Sequence, residues 1–386
     1  MSLQRSENRI LTTHVGSLPR PRDLLDMMKA RVAGSAYDHE AYDTRIRDAV
    51  AECVGKQAET GIDILTDGEQ SKQGFSAYVR ERLEGFEARP NQKNELFAAE
   101  VAAFPEYYAE YFKTAMFGGG VAPSVPVVCT GPVKYRGEAS LRRDIDNLKA
   151  AAENVVHHAA FMPAIAPSGV GQNEYYRTEE EFFQAVGAAL RTEYKAIADA
   201  GLLLQIDDPF LCDIFADEKL DGPQRKRRAD MHVETINECL RGIPVEQVRY
   251  HTCYGINEGP RIHEASLGDV VDYMLKVKAC SYSFEAANPR HEHEYHLWES
   301  VKLPEGKVLI PGVITHASNI VEHPELIAER LLRFAKLVGR ENVIAGADCG
   351  FSTQANYHPE VHPTVVWAKF EAMRDGARLA TKQLWP

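Results

Sequence analysis

Hydrophobic positions in this chain follow two alternating patterns. Nine short apolar runs, each ending near Gly, Pro or an acidic residue, read as strands: ILTTHVGSLP, GIDILTDGEQ, VPVVCTGPV, AAFMPAIAPSG, GLLLQIDDPF, VRYHTCYG, ACSYSFEAAN, KVLIPGVITH and NVIAGADCGF. Between them lie stretches of helical period over residues 39–60, 140–158, 178–200, 224–241, 264–278, 323–339 and 359–384. Thr178 opens one of these as an N-cap and Gly201 closes it.

Strands that alternate with helices of this length predict βα units and a mostly parallel sheet. The count and the length of 386 residues fit an α/β fold of the (β/α)₈ TIM-barrel type, a single domain over residues 1–386. One of the nine strand candidates is then spare, and AAFMPAIAPSG is the one set aside, because it ends in Pro and Gly without a site residue. No G-x-G-x-x-G turn supports a doubly wound sheet. The cluster Gly118-Gly119-Gly120 lacks the Lys-Ser/Thr of a phosphate loop and reads as a flexible turn. Residues 86–125 fall outside the repeat and predict a helical, aromatic-rich insertion over one barrel end, more an extra packing element than a substrate lid.

The strand ends carry the chemistry. Residues i and i+2 of a strand share a side, so His251 and Cys253 can reach one metal ion together. Glu285 and Cys349 stand at two further strand ends, and a buried Glu285 calls for a metal or another cation. This His/Cys/Glu/Cys set suits Zn²⁺ rather than Mg²⁺ or Ca²⁺. Asp67 with Glu69 and Asp207 with Asp208 end two other strands. Asp67 and Asp208 read as caps, while Glu69 and Asp207 are expected to meet a positively charged substrate group. His316 in GVITHASN is a candidate general acid, and Ser17 offers a hydroxyl at the first strand end. The tract HEHEYH at 291–296 reads as a solvated face, and His157-His158 as the end of a helix.

Charge and cysteine usage narrow the partners. With 44 Lys and Arg against 56 Asp and Glu, the net charge of −12 argues against nucleic acid and anionic membranes. No apolar run nears the roughly 20 residues of a membrane span, and the N-terminus has no signal-type apolar region. Seven scattered cysteines without a CxxC pair fit a reduced, cytoplasmic setting. A homo-oligomer stays open.

Taken together, THVGSLPRP, TDGEQ, CTGPV, QIDDP, HTCYG, SFEAAN, PGVITHASN and GADCGF resemble the catalytic C-terminal barrel of the cobalamin-independent methionine synthase family, in family order. The resemblance implies the (β/α)₈ barrel shared with uroporphyrinogen decarboxylase, and zinc on His251, Cys253, Glu285 and Cys349. It also implies that Ser17, Glu69 and Asp207 hold an amino-acid thiol, with His316 as the proton-handling histidine. The activity implied is that of a 5-methyltetrahydropteroyltriglutamate-homocysteine methyltransferase, methyl transfer to homocysteine giving methionine, with Asp207 and His316 at the reacting end. Two departures bear on the donor. Lys134-Tyr135-Arg136-Gly137 stands where folate-dependent members carry a Trp-containing segment, and the aromatic insertion lies outside the family pattern. Short relatives include enzymes that take a methyl from a corrinoid protein and epoxyalkane:coenzyme M transferases, whose sulfonate substrate would need Arg20, Arg136 or Arg290. A zinc hydrolase is the remaining alternative, although two thiolate ligands fit it poorly.

Overall fold

The computed structural model describes residues 5–75, 77–92, 96–113, 119–122, 125–255 and 258–386. Its strands are β1 Ile64–Leu65, β2 Leu83–Ala88, β3 Val127–Tyr135, β4 Ala159–Ile165, β5 Gln172–Asn173, β6 Leu203–Asp207, β7 Val248–His251, β8 Ser281–Phe284, β9 Val308–Ile314 and β10 Gly346–Ala347. Seven form one parallel sheet in the order β1-β4-β6-β7-β8-β9-β10. The segment Leu11 to Thr13 closes the ring between its two edges: Thr12 bridges Ala345 and Thr13 bridges Ile64, both in parallel. Thr13 N–H donates to Ala345 O at 2.8 Å and Ile64 N–H to Thr12 O at 3.1 Å. The result is the (β/α)₈ barrel.

Outer helices follow the strands in turn, among them His39–Thr60, Glu138–Ala152, Glu179–Asp199, Gly222–Cys239, Pro324–Val338 and Pro363–Leu384. Local signals set their ends. Asp38 accepts from the N–H groups of Glu40 and Ala41, and Gly61, at φ 88°, ends the same helix. Thr178 accepts from Glu181 N–H, as its N-cap position predicts. Among the described residues, no helix is long and apolar enough to cross a membrane.

The spare strand is not the expected one. AAFMPAIAPSG supplies β4, buried at every position and paired between β1 and β6. VPVVCTGPV supplies β3, which pairs antiparallel with β2 and parallel with β5 in a separate three-stranded sheet. The reason is burial: a parallel barrel strand is covered on both faces and reads as a continuous apolar run, whereas β3 is partly wet. The Pro and Gly that weakened the case for β4, Pro167 and Gly169, lie beyond its end in a short 3₁₀ turn, and Pro163 inside the strand has its carbonyl engaged by Lys72 Nζ at 2.8 Å.

The 86–125 region begins as β2 and continues as two short helices, Ala98–Ala103 and Pro105–Tyr111. They lie against the loop after β7. Tyr107 Oη donates to Glu258 O at 3.1 Å, and His263 N–H donates to Glu100 Oε1 at 2.6 Å. Gly118 lies outside the described residues. Gly119 and Gly120 are held rather than loose: Gly120 bridges Asn356, and a Cβ on Gly119 would overlap Asn356 Oδ1.

Inside the ring the strands change character along their length. Leu11, Ile64, Ala159, Phe161, Leu203, Val308, Ile310 and Ile344 form one buried apolar cluster near the strand starts. Two residues on in β6, and in β7 beside it, the inward positions turn polar. The Arg249 guanidinium lies 3.9 Å over the Phe161 ring and donates to Thr13 Oγ1 and His14 O, each at 3.1 Å. Gln205 Nε2 donates to Val15 O and to Asp207 Oδ1. This polar layer ties the closing segment to the sheet and supports the residues above it. Thr13→Val removes one acceptor from a buried guanidinium and one bond to Ile64 O. It should lower the unfolding free energy by about 1–3 kcal/mol in urea titrations. A change within measurement error would place the barrel closure elsewhere.

Candidate metal centre

Period-2 geometry carries β7 from Arg249 to His251 and on to Cys253, all directed toward the C-terminal mouth of the barrel. The loop after β10 brings Cys349 to the same point. One ligand atom each from His251, Cys253 and Cys349 lie within 4.8 Å of one another, all buried. The two sulfurs are 3.5 Å apart. Two thiolates at zinc–sulfur distances of about 2.3 Å in a tetrahedron stand about 3.8 Å apart, so little movement separates this pair from a liganded one. His251 Nδ1 meets Ser283 Oγ at 3.0 Å, which leaves the buried Nε2 without a partner. An imidazole nitrogen held from behind and orphaned in front is the arrangement a metal ligand needs.

Electrostatics point the same way. Burial, then the nearby charges of Arg249 and His316, lowers His251 to about 3. A hydrogen bond from Cys349, burial and the neighbouring negative charges raise Cys253 well above its usual range. These shifts favour neutral His251 and Cys253 in the free chain, and a divalent cation would favour the thiolate of Cys253 instead.

Glu285 stands apart from the three. Its nearest ligand-type neighbours are His316 and Asp348. Its Oε2 accepts from Arg261 Nη2 and Asn288 Nδ2, each at 2.7 Å, and its Oε1 from Tyr254 N–H at 3.1 Å. The cation expected beside Glu285 is thus Arg261, a residue with no motif to mark it. Asp348 is the other residue the motifs did not single out. It accepts from the N–H groups of Ala286, Ala287 and Asn288 at 2.8–2.9 Å, locking the end of β8 against the Cys349 loop. Its position beside Cys349 in GADCG was the available signal. His316 is buried beside them; burial, then the charge of Arg261, lowers it to about 4.

The substrate-side residues meet across a small cavity lined by Ser17, Glu69, Asp207, His251, Cys253 and Cys349, among others. Glu69 has left-handed backbone (φ 58°), and its buried Oε2 has no hydrogen-bond partner among the described residues. Its Oε1 is 3.7 Å from Lys72 Nζ. Burial, then the charge of Glu69, pushes Asp207 well above the carboxylate range. Ser17 Oγ accepts from Ser352 N–H at 3.4 Å. Asp67 and Asp208 turn back to their own loops, accepting from Glu69 N–H at 2.9 Å and Leu211 N–H at 3.2 Å. Among the described residues, no Arg or Lys lines this cavity. Arg20 is turned to Ser352 O and Glu69 O, and Arg136 and Arg290 are exposed.

Two other expectations need correction. Only His293 and His296 of the HEHEYH tract face solvent. His291 is buried, lies between Glu294 (2.8 Å) and Glu264 (3.0 Å), and stacks on Tyr254 at 4.0 Å. The reason is that His291 precedes the short helix Glu292–Glu299 as its N-cap and is held inward by Glu264 and Tyr254. His157 and His158 lie beyond the helix that ends at Ala152, in the turn leading into β4.

An eight-stranded parallel barrel with soft ligands and carboxylates at its strand C-termini has the build of a (β/α)₈ enzyme. The family described as "Cobalamin-independent synthase, Catalytic domain" matches residues 10–104 and 164–375, and the chain belongs to it. A methionine synthase of Sulfolobus acidocaldarius is 26% identical over 340 residues, spanning 88% of this chain and 85% of that protein. One from Thermococcus kodakarensis is 25% identical over 344 residues, spanning 88% and 86%. A B12-independent methionine synthase of Shewanella sp. W3-18-1, solved in complex with selenomethionine, superposes with a TM-score of 0.72 at 20% identity, covering 97% of this chain and 99% of that one. The family match passes over residues 105–163, which hold the second insertion helix and β3.

The position of Asp207 has a pH signature. A carboxyl whose folded pKa is raised keeps a proton that the unfolded chain releases, so folded stability is lost as pH rises above about 4 toward the folded value. Asp207→Asn removes that loss. In metal-free protein, its stability relative to wild type should grow with pH across this window, by up to about 1.4 kcal/mol per pH unit. A difference that does not vary with pH would contradict the burial of a titrating Asp207.

Proposed function

We propose that this chain, acting as one barrel unit, is a zinc-dependent methyltransferase that methylates the sulfur of homocysteine to give methionine. The observation that carries the proposal is the meeting of the His251–Cys253–Cys349 donors and the Glu69–Asp207 acids in one cavity. Zinc would be held by His251, Cys253 and Cys349, with Glu285 as the fourth ligand, and would keep the substrate thiol deprotonated and nucleophilic. Glu69 and Asp207 receive the substrate ammonium; its charge satisfies the orphaned Glu69 oxygen and allows Asp207 to ionise. Ser17 bounds the same end of the amino acid. With the ammonium fixed at one end, the sulfur is directed at the donor's methyl carbon.

His316 delivers the proton that the departing donor atom requires. Burial keeps the imidazole neutral in the free chain, and the charges of Asp348 and Glu264 oppose that effect, so anionic ligands arriving nearby would raise its proton affinity. The lack of basic residues in the cavity lining favours an ammonium-bearing thiol over coenzyme M, and the two thiols favour alkyl transfer over hydrolysis. Nothing in a family described as cobalamin-independent supports a corrinoid partner.

Loss of free thiol should be seen with homocysteine and a methyl donor, and not with coenzyme M and an epoxide; the reverse pattern would overturn the substrate assignment. Cys349→Ser should weaken zinc binding by more than about 100-fold, beyond the effect of outer-sphere changes, and abolish turnover. Full zinc content by elemental analysis would remove Cys349 from the ligand set. His316→Asn should retain zinc and thiol binding while slowing single-turnover transfer about 100-fold. An unchanged rate would make the histidine structural.

A further inference from the structure

Arg261 is buried, and its backbone lies in the left-handed region at φ 59°. A β-unbranched, non-glycine residue keeps that conformation where its surroundings impose it. The imposition comes from both sides. Toward the insertion, Glu258 N–H donates to Tyr111 Oη at 3.2 Å, Tyr107 Oη donates to Glu258 O at 3.1 Å, and His263 N–H donates to buried Glu100 Oε1 at 2.6 Å. Toward the barrel, Arg261 Nε donates to Glu264 Oε1 at 2.7 Å, and Glu264 Oε2 meets His291 Nε2 at 3.0 Å. His291 stacks on Tyr254, whose N–H returns to Glu285. The chain of contacts therefore runs from the aromatic insertion through Arg261 to the carboxylate proposed as fourth ligand.

We infer that Arg261 is a positioning residue that competes with the metal for Glu285, with the helical insertion setting the strength of that competition. This rests on the zinc reading above. A buried carboxylate released by an incoming thiol would stand uncompensated, which is costly; a guanidinium already 2.7 Å from its Oε2 receives it. Arg261 thereby lowers the cost of exchanging Glu285 for substrate sulfur, at the expense of tighter metal binding. The insertion, which reads by sequence as a packing element, then acts on the metal site without touching it.

The test uses the full chain with Zn²⁺ in competition with a chromogenic chelator, and with Co²⁺ in place of zinc to follow homocysteine by its absorption bands. Arg261→Gln should tighten Zn²⁺ about tenfold and weaken homocysteine by a similar factor, within the range of outer-sphere changes. In the Glu285→Gln background the same substitution should change neither, because its effect passes through Glu285. Glu100→Gln, which leaves Arg261 in place and loosens its loop, should move both affinities in the same directions by a smaller factor, and it carries the test if Arg261→Gln fails to fold. Equal effects of Arg261→Gln with and without Glu285, or an unchanged thiol affinity, would overturn the inference. Wild-type protein that takes up neither metal would sink the zinc reading itself; uptake with no difference between wild type and variants sinks only the role of Arg261.

Discussion

The structure turns on a deliberate deficit: lone pairs buried at the mouth of the barrel with no donor to meet them among the described residues. His251 Nε2 and Glu69 Oε2 are both in this condition, a few residues from two thiols brought into contact. Leaving a buried polar atom unpaired costs about 1–3 kcal/mol, so a fold that gathers several is organised around something that completes them. The surroundings serve this arrangement. Ser283 fixes the rear of the His251 ring, Asp348 latches the β8 loop to the Cys349 loop, and Gln205 braces Asp207 from below. Beneath them the apolar plug and Arg249 make the floor rigid.

The chemistry of the two ends of the cavity differs, and that difference gives it direction. One end presents the soft donors His251, Cys253 and Cys349. The other presents two carboxylates, one of them with its proton affinity raised by burial and by its neighbour's charge. A small zwitterionic thiol has the complementary polarity, sulfur at one end and ammonium at the other. Arg261, Glu264, His291 and Tyr254 are linked in a ring of contacts that keeps Glu285 occupied. Glu285 is thus the donor with an alternative cationic partner, while among the described residues His251 keeps its Nε2 open and Cys253 and Cys349 meet each other.

Much of this was legible from short-range pattern. The i, i+2 rule placed His251 beside Cys253, and strand-end acids separated into loop-capping Asp67 and Asp208 and cavity-facing Glu69 and Asp207. The resemblance to the cobalamin-independent methionine synthase barrel was carried by the same motifs and is borne out by the family match. The failures share a cause: each depends on contacts distant in sequence. β4, set aside because its run ends in Pro and Gly without a site residue, is buried at every position between β1 and β6, while β3 pairs outside the barrel with β2 and β5. Arg261 sits in a loop whose conformation is set by helices some 150 residues earlier, and His291 is drawn inward by Glu264 and Tyr254. Asp348 works through backbone N–H groups, which leave no trace in composition.

The central claim is that His251, Cys253 and Cys349 hold a zinc ion that receives the substrate sulfur. X-ray absorption at the zinc edge of the loaded protein, with and without homocysteine, addresses it most directly. The account predicts two sulfur neighbours at about 2.3 Å in the free protein, and three when homocysteine is bound. A shell of nitrogen and oxygen alone, or a sulfur count unchanged by homocysteine, would contradict it.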